Sequence, residues 1–141
     1  MSILLVRHAW AGHSKDWEGD DRLRPLDERG RRQAEALPAA LAGFRIERLV
    51  SSPFLRCTGS FEPLAAALGL PVEEREELAD DAKRKHALAL IDELEGTTAA
   101  LCTHGELLHK LVGDQTEKGE TTVVERTPDG VRELERIAPP A

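Results

Sequence analysis

The sequence predicts an α/β fold in three layers, with a largely parallel central sheet flanked by helices and closed by a C-terminal antiparallel hairpin. Short aliphatic runs alternate with longer segments of helical spacing, as in parallel sheets whose strands are joined by helices. Near the end of the chain, two alternating segments flank Pro128-Asp129-Gly130, a turn sequence that favours a hairpin. The chain has 141 residues, and we expect a single domain over residues 1–141.

The first strand is predicted at Ile3–Val6, an aliphatic run that suits a strand covered on both faces. A polar loop then leads to Asp27, which is suited to cap the first helix. This helix should kink or restart at Pro38, because proline lacks a backbone donor, and should end near Gly43.

The later elements follow from the same alternation of aliphatic runs and helical spacing. Gly69 predicts the end of the second helix, and a short polar loop precedes the third. In chain order we expect a strand at 46–51, a helix at 54–68, a short edge strand at 72–75, a helix at 83–94, a strand at 97–102, a helix through 107–112 and hairpin strands at 121–126 and 131–136.

The composition indicates a soluble globular protein, with 40% hydrophobic and 32% charged residues. No apolar stretch approaches the roughly 18 residues of a membrane span, so we expect no membrane partner. The net charge of −7 argues against a nucleic-acid partner. The start of the chain lacks the pattern of an export signal, and Cys57 and Cys102 lack the spacing of metal ligands. These features predict a cytoplasmic protein with free thiols.

Three predicted strands end beside side chains that suit phosphoryl chemistry. Arg7 and His8 close the first strand. Arg56 follows the second strand, and His104 follows the strand at 97–102. In a parallel sheet these ends share one edge, where arginine forks can hold phosphate oxygens and a neutral imidazole can act as a nucleophile. Taken singly, Arg56 could instead form a surface ion pair, and His104 could be a helix cap or a core residue.

Four segments form an ordered set of motifs: 5–9 (Leu-Val-Arg-His-Ala), 24–34, 51–57 (Ser-Ser-Pro-Phe-Leu-Arg-Cys) and 103–106 (Thr-His-Gly-Glu). Together with the hairpin, they resemble the histidine phosphatase superfamily, also called phosphoglycerate mutase-like, over nearly the whole chain. The similarity is greatest to its small bacterial members, which include the short phosphohistidine phosphatases and the phosphatase-like domain that follows a Nudix domain in some proteins. It implies a phosphohistidine intermediate on His8, with Arg7, Arg56 and His104 around the phosphoryl group. It implies neither a metal ion nor a cofactor.

The resemblance also implies, for many family members, a carboxyl group that protonates the leaving oxygen. Asp80 matches that position best, and Asp81 and Glu77 are the other candidates. An exposed aspartate has a pKa of about 3.9, so this role requires burial or a neighbouring carboxylate to raise the pKa. Alternatively, Asp80 and Asp81 form a charge pair before the helix that starts near Lys83. The short phosphohistidine phosphatases work without such an acid.

The loop after the first strand is expected to contact the remainder of the substrate. His13, Lys15 and Trp17 are its candidate substrate-binding residues, with loop packing as the alternative role. The chain between the strands at 72–75 and 97–102 holds only one loop and one helix, which leaves little room for a lid. Small or protruding substrates are therefore expected.

Together these features predict a metal-independent phosphatase that hydrolyses a phosphate monoester, a phosphohistidine or a nucleotide phosphate. Its partner would be a phosphorylated small molecule or a phosphohistidine protein. The alternatives are a catalytically inactive, phosphate-binding regulatory module on the same fold and an adaptor of unrelated function. His104 and His109 are five residues apart rather than at the spacing of a zinc-binding helix motif, and the sequence contains no P-loop motif.

Overall fold

The fold is a six-stranded central sheet with two helices packed on each face. The computed structural model describes residues 2–140. Its strands are β1 (Ile3–Arg7), β2 (Arg48–Ser51), β3 (Val72–Glu74), β4 (Ala99–Thr103), β5 (Thr121–Thr127) and β6 (Gly130–Ile137). Its helices are α1 (Glu28–Ala40), α2 (Leu55–Leu68), α3 (Arg84–Glu93) and α4 (Gly105–Val112). Short 3₁₀ turns occupy Ser14–Asp16, Asp21–Leu23 and Glu76–Leu78.

The strand order is β3-β2-β4-β1-β5-β6. The first four strands in this order are parallel, whereas β5 pairs antiparallel with both β1 and β6. Thr127 pairs with Gly130, so the hairpin turns at Pro128-Asp129, as the turn sequence predicts. The predicted architecture, a largely parallel sheet closed by a C-terminal antiparallel hairpin, is confirmed.

The two faces of the sheet bury separate apolar clusters, because neighbouring side chains of a strand point to opposite faces. In β1, Leu4 and Val6 pack with α1 and α2, whereas Ile3 and Leu5 pack with α3 and α4. Every residue of β4 is buried, as expected for a central strand covered on both sides. Within residues 2–140 no helix is both long enough and apolar enough to cross a membrane.

Several element boundaries differ from the sequence prediction. Helix α1 continues through Pro38 to Ala40 without restarting, because this proline lies in the last turn and removes only one hydrogen bond. The strand predicted from residue 97 begins at Ala99, since Thr97 instead donates its backbone N–H and its hydroxyl to Leu94 O. Helix α2 begins after Phe54, which occupies its N-cap position.

Gly30 is expected to be essential for packing α1 against the chain that leaves β1. A β-carbon at Gly30 would lie 1.8 Å from the carbonyl oxygen of Trp10. Despite the better helix propensity of alanine, we expect Gly30→Ala to lower the free energy of unfolding by about 1–3 kcal/mol, the usual cost of overpacking. Urea denaturation measures the change. Gly43→Ala is the matched control, because a β-carbon there meets nothing within 4 Å, and an equal loss in both variants would contradict this explanation.

Candidate active site

The carboxyl ends of β1, β2 and β4 bring their polar residues together at one edge of the sheet. The backbone N–H of His8 donates to Thr103 O at 3.1 Å, and the N–H of Ser52 donates to Cys102 O at 2.9 Å. The rings of His8 and His104 lie 5.4 Å apart between centroids. They open onto a pocket of about 650 Å³. The predicted site residues that line it are Arg7, His8, His13, Arg56, Asp80 and His104.

His8 is buried, and its ring orientation is fixed by one backbone contact. Its Nδ1 lies 2.8 Å from the carbonyl oxygen of Ala9, which can only accept, so Nδ1 carries the proton. Nε2 therefore keeps its lone pair. Burial, with the nearby charges of Arg56 and Arg7, lowers the pKa of His8 to about 3. The ring is neutral at physiological pH and can act as a nucleophile through Nε2.

His104 is also neutral, and it belongs to a buried hydrogen-bond network. Its Nε2 lies 2.9 Å from Ser52 Oγ, which accepts the backbone N–H of Phe54 at 3.3 Å. Among residues 2–140 the Ser52 hydroxyl has no other acceptor, so it donates to Nε2 and leaves the proton of His104 on Nδ1. Burial and the neighbouring His8 lower the pKa of His104 to about 2. This ring can serve as a neutral donor.

The guanidinium group of Arg7 lies directly against α4. A β-carbon at Gly105, the first residue of α4, would lie 2.8 Å from Arg7 Cζ, so a side chain there would displace the guanidinium. Arg7 Nη1 donates to the carbonyl oxygen of Thr116. Its Nε and that of Arg56 are buried and have no hydrogen-bond partner within residues 2–140. A buried cationic donor without a partner is costly.

Arg56 is held by Asp21, a residue that the sequence analysis did not identify. Arg56 Nη1 donates to the carbonyl oxygen of Asp21 at 2.9 Å, and Nη2 lies 3.0 Å from its Oδ2. Arg24 Nε donates to the other carboxylate oxygen at 3.0 Å. Although burial opposes it, the hydrogen bond from Arg24 and the charge of Arg56 hold the pKa of Asp21 below its usual value. Asp21 lies in a loop, where no hydrophobic period indicates which side chain turns inward.

The three carboxylates considered for the general acid lie in different surroundings. Asp80 lines the pocket, and its Oδ2 is 4.0 Å from Arg56 Nη2. Glu77 instead pairs with Arg75 at 2.6 Å, which holds the pKa of Glu77 below its usual value although burial opposes this. Asp81 is exposed and does not line the pocket.

The first loop is only partly directed towards the pocket. His13 lines it, whereas Lys15 and Trp17 are exposed and lie outside the lining. The indole N–H of Trp17 donates to Asp20 O at 2.9 Å, a contact within the loop itself. Lys118, which the sequence analysis did not identify, lines the opening as well. Within residues 2–140 no group of three or more His, Cys, Asp and Glu side chains is placed to hold a metal ion.

The buried neutral histidines should make the fold sensitive to acid. The pKa of a histidine in an unfolded chain is about 6.5, far above the values of about 3 for His8 and about 2 for His104. Below pH 6.5 the unfolded state therefore binds more protons, and stability is lost as the pH falls towards these folded-state values.

We expect His8→Asn to reduce the pH dependence of the free energy of unfolding. The slope should fall by up to about 1.4 kcal/mol per pH unit between pH 6 and pH 4, which is the contribution of one proton. Asparagine retains an N–H for the carbonyl oxygen of Ala9, so the fold should be preserved. Urea denaturation at several pH values measures the slope. An unchanged slope would show that His8 is not held neutral.

Three known proteins illustrate what the chain is similar to. An 8-oxo-(d)GTP phosphatase from Mycolicibacterium smegmatis is 37% identical over 116 residues, which cover 79% of this chain and 36% of that protein. The chain thus spans about a third of the length of that curated relative. The protein histidine phosphatase SixA, in complex with tungstate, has a TM-score of 0.81 at 24% identity and covers 99% of this chain and 97% of its own. A mycobacterial glucosyl-3-phosphoglycerate phosphatase, in complex with VO3, has a TM-score of 0.77 at 16% identity over 99% of both chains.

The structural similarities establish the fold, and the sequence itself establishes the family. The sequence model of the histidine phosphatase superfamily (branch 1) matches residues 3–83. This segment is more than half of the chain and includes β1, α1, β2, α2 and β3. The matched segment also holds Arg7, His8 and Arg56, and it contributes eight of the sixteen residues that line the pocket. The chain belongs to the histidine phosphatase superfamily.

Proposed function

We propose that the protein is a phosphatase in which His8 carries the phosphoryl group between the substrate and water. The observation that supports this most strongly is the state of His8: it is neutral, its Nδ1–H is bound to Ala9 O, and its Nε2 lone pair remains free. In the first step, a bond forms between phosphorus and Nε2 while the bond to the leaving group breaks. In the second step, water attacks phosphorus and the bond from phosphorus to Nε2 breaks; inorganic phosphate departs with the protons of the water, and the neutral imidazole returns.

The surrounding donors match the charge that develops during this transfer. In the transition state, charge is spread over the three equatorial oxygens of the phosphoryl group. The N–H groups of Arg7 and Arg56 that face the pocket, together with the Nδ1–H of His104, are the donors proposed for those oxygens. Asp21 occupies two other N–H groups of Arg56 and so restricts the rotation of the guanidinium. Donors fixed in advance stabilise a transition state without reorganisation during the reaction.

The substrate class proposed from this site is a phosphate monoester, a phosphohistidine or a nucleotide phosphate. The three similar proteins described above are a protein histidine phosphatase, an 8-oxo-(d)GTP phosphatase and a glucosyl-3-phosphoglycerate phosphatase. Two of them were solved with oxyanions, tungstate and VO3. A phosphorylated small molecule and a phosphohistidine protein are the corresponding partners. Buried free thiols at Cys57 and Cys102 support a reducing compartment such as the cytoplasm.

Trapping the intermediate tests this proposal directly. After rapid mixing with a ³²P-labelled substrate and quenching in alkali, the label should be found on His8 as an adduct that is stable to base and labile to acid. His8→Asn should abolish the label and reduce turnover at least 100-fold, because it removes the nucleophile. His86→Asn is the matched control, since His86 is exposed on α3. Vanadate-sensitive turnover that persists in His8→Asn would refute the mechanism, and phosphate binding without turnover would indicate an inactive module.

Asp80 is the carboxyl group proposed to protonate the leaving oxygen, because it lines the pocket and lies 4.0 Å from Arg56, whereas Glu77 is held by Arg75 at 2.6 Å. We expect Asp80→Asn to slow hydrolysis of an alkyl phosphate by about 100-fold or more, within the usual range for general acid catalysis. An aryl phosphate with a good leaving group should be affected only slightly, and Asp81→Asn should change neither rate. Steady-state kinetics on both substrates measure this. Equal small effects would exclude Asp80 as the acid and favour phosphohistidine as the substrate.

A further inference from the structure

A second cluster of cations adjoins the pocket that contains His8. Lys118 lines this pocket, and it also lines a neighbouring depression of about 470 Å³. Arg7 also lines both cavities, and Arg29 lines the depression. Arg24 lies on the pocket side. Lys118 is therefore placed between the site of phosphoryl transfer and the space next to it.

The backbone that carries Lys118 is fixed to the end of β1. Gln33 Nε2 donates to Lys118 O at 3.1 Å, and Gln33 Oε1 accepts the backbone N–H of Trp10 at 3.1 Å. The next residue, Gly119, donates its N–H to Arg7 O at 3.1 Å. The ammonium nitrogen of Lys118 lies 4.0 Å from the centroid of the Trp10 ring, and the side chain is half-buried. Lys118 is thus part of an ordered wall and not a freely rotating surface lysine.

The charges of this cluster are compensated unevenly, since Arg24 is paired with Asp21 at 3.0 Å. Within residues 2–140, neither Lys118 nor Arg29 has a carboxylate oxygen within 4.0 Å of its charged nitrogen atoms. The carboxylate of Asp27 instead accepts the backbone N–H groups of Gly12 and Gly30, at 2.9 Å and 2.8 Å.

Electrostatics in the free protein agree with this geometry. Burial, followed by repulsion from Arg7, Arg24 and Arg29, lowers the pKa of Lys118, although the charge of Asp27 opposes this shift. Glu117 also lines the depression, but the three cations Arg7, Arg29 and Lys118 outnumber it. An anionic group placed beside Lys118 would relieve this repulsion and would gain a charge-assisted hydrogen bond.

Building on the proposed function, we propose that Lys118 binds a second anionic group of the substrate, carried close to the phosphoryl group that His8 accepts. The substrates that fit are organic diphosphates, in which the second group is a phosphate, and phosphorylated carboxylic acids, in which it is a carboxylate. Phosphates with a single anionic group would bind through Arg7, Arg56 and His104 alone. The cation cluster therefore determines which phosphorylated molecules the site prefers.

Binding of small unreactive anions tests the proposal without requiring turnover. Calorimetric titration compares methylphosphonate with methylenediphosphonate and phosphonoacetate, which add a second phosphonate and a carboxylate respectively. We expect at least one of the two probes that carry a second anionic group to bind about tenfold more tightly than methylphosphonate. In Lys118→Gln this advantage should disappear, a loss of about 1.4 kcal/mol. Lys118→Arg, which retains the charge, should recover most of it, and Lys85→Gln, on the exposed face of α3, should keep it entirely.

The pattern of binding identifies the second group and can also overturn the inference. An advantage for methylenediphosphonate alone points to diphosphates, and one for phosphonoacetate alone points to phosphorylated acids. The inference is overturned if neither probe binds more tightly than methylphosphonate, or if the advantage survives in Lys118→Gln. If the inference is overturned, vanadate-sensitive turnover of 4-nitrophenyl phosphate by the unmodified protein would still support the proposed phosphatase function. Without such turnover, both the phosphatase function and the second anion site would be rejected.

Discussion

The parallel pairing of β4 with β1 on one side and β2 on the other is the constraint on which the whole site depends. Cys102 lies opposite both Val6 and Ser51, so the three strands end at the same level. The residues that follow them, including His8 and His104, are thereby brought into one pocket. Because side chains alternate between faces with a period of two, a slip of one residue in either pairing would exchange the two apolar faces and separate the site.

Burial and nearby positive charge both favour the neutral form of the two imidazoles in the pocket. Desolvation disfavours a protonated ring, and nearby arginines disfavour it further, so His8 and His104 remain neutral while the guanidinium groups keep their charge. Among residues 2–140, the same burial leaves one donor on Arg7 and one on Arg56 without partners. The free protein thus bears a local destabilisation, as is common where functional sites retain unsatisfied polar groups.

Local sequence patterns predicted the sheet, its hairpin and the residues at the strand ends, because aliphatic runs, helical spacing and turn residues encode these features directly. The contributions of the loops were not predictable in this way. Asp21 reaches Arg56 because Arg22 anchors the loop to Glu76 at 2.9 Å, and Lys118 is fixed through Gln33. Both are contacts between residues far apart in the sequence, and no local period signals them. The sequence likewise favoured Asp80 over Glu77 as the acid, but it did not show the ion pair between Glu77 and Arg75.

The closing hairpin also affects how copies of the protein meet at high concentration. A sheet with free edges invites another chain to add a strand, which is a common start of ordered aggregation. One edge here is β3, only three residues long, with Glu73 bound to Arg48 at 2.5 Å. The other is β6, whose exposed residues 132–135 are charged at three of four positions. Shortness at one edge and charge at the other disfavour fibre-like stacking, so the protein should tolerate concentrated solution.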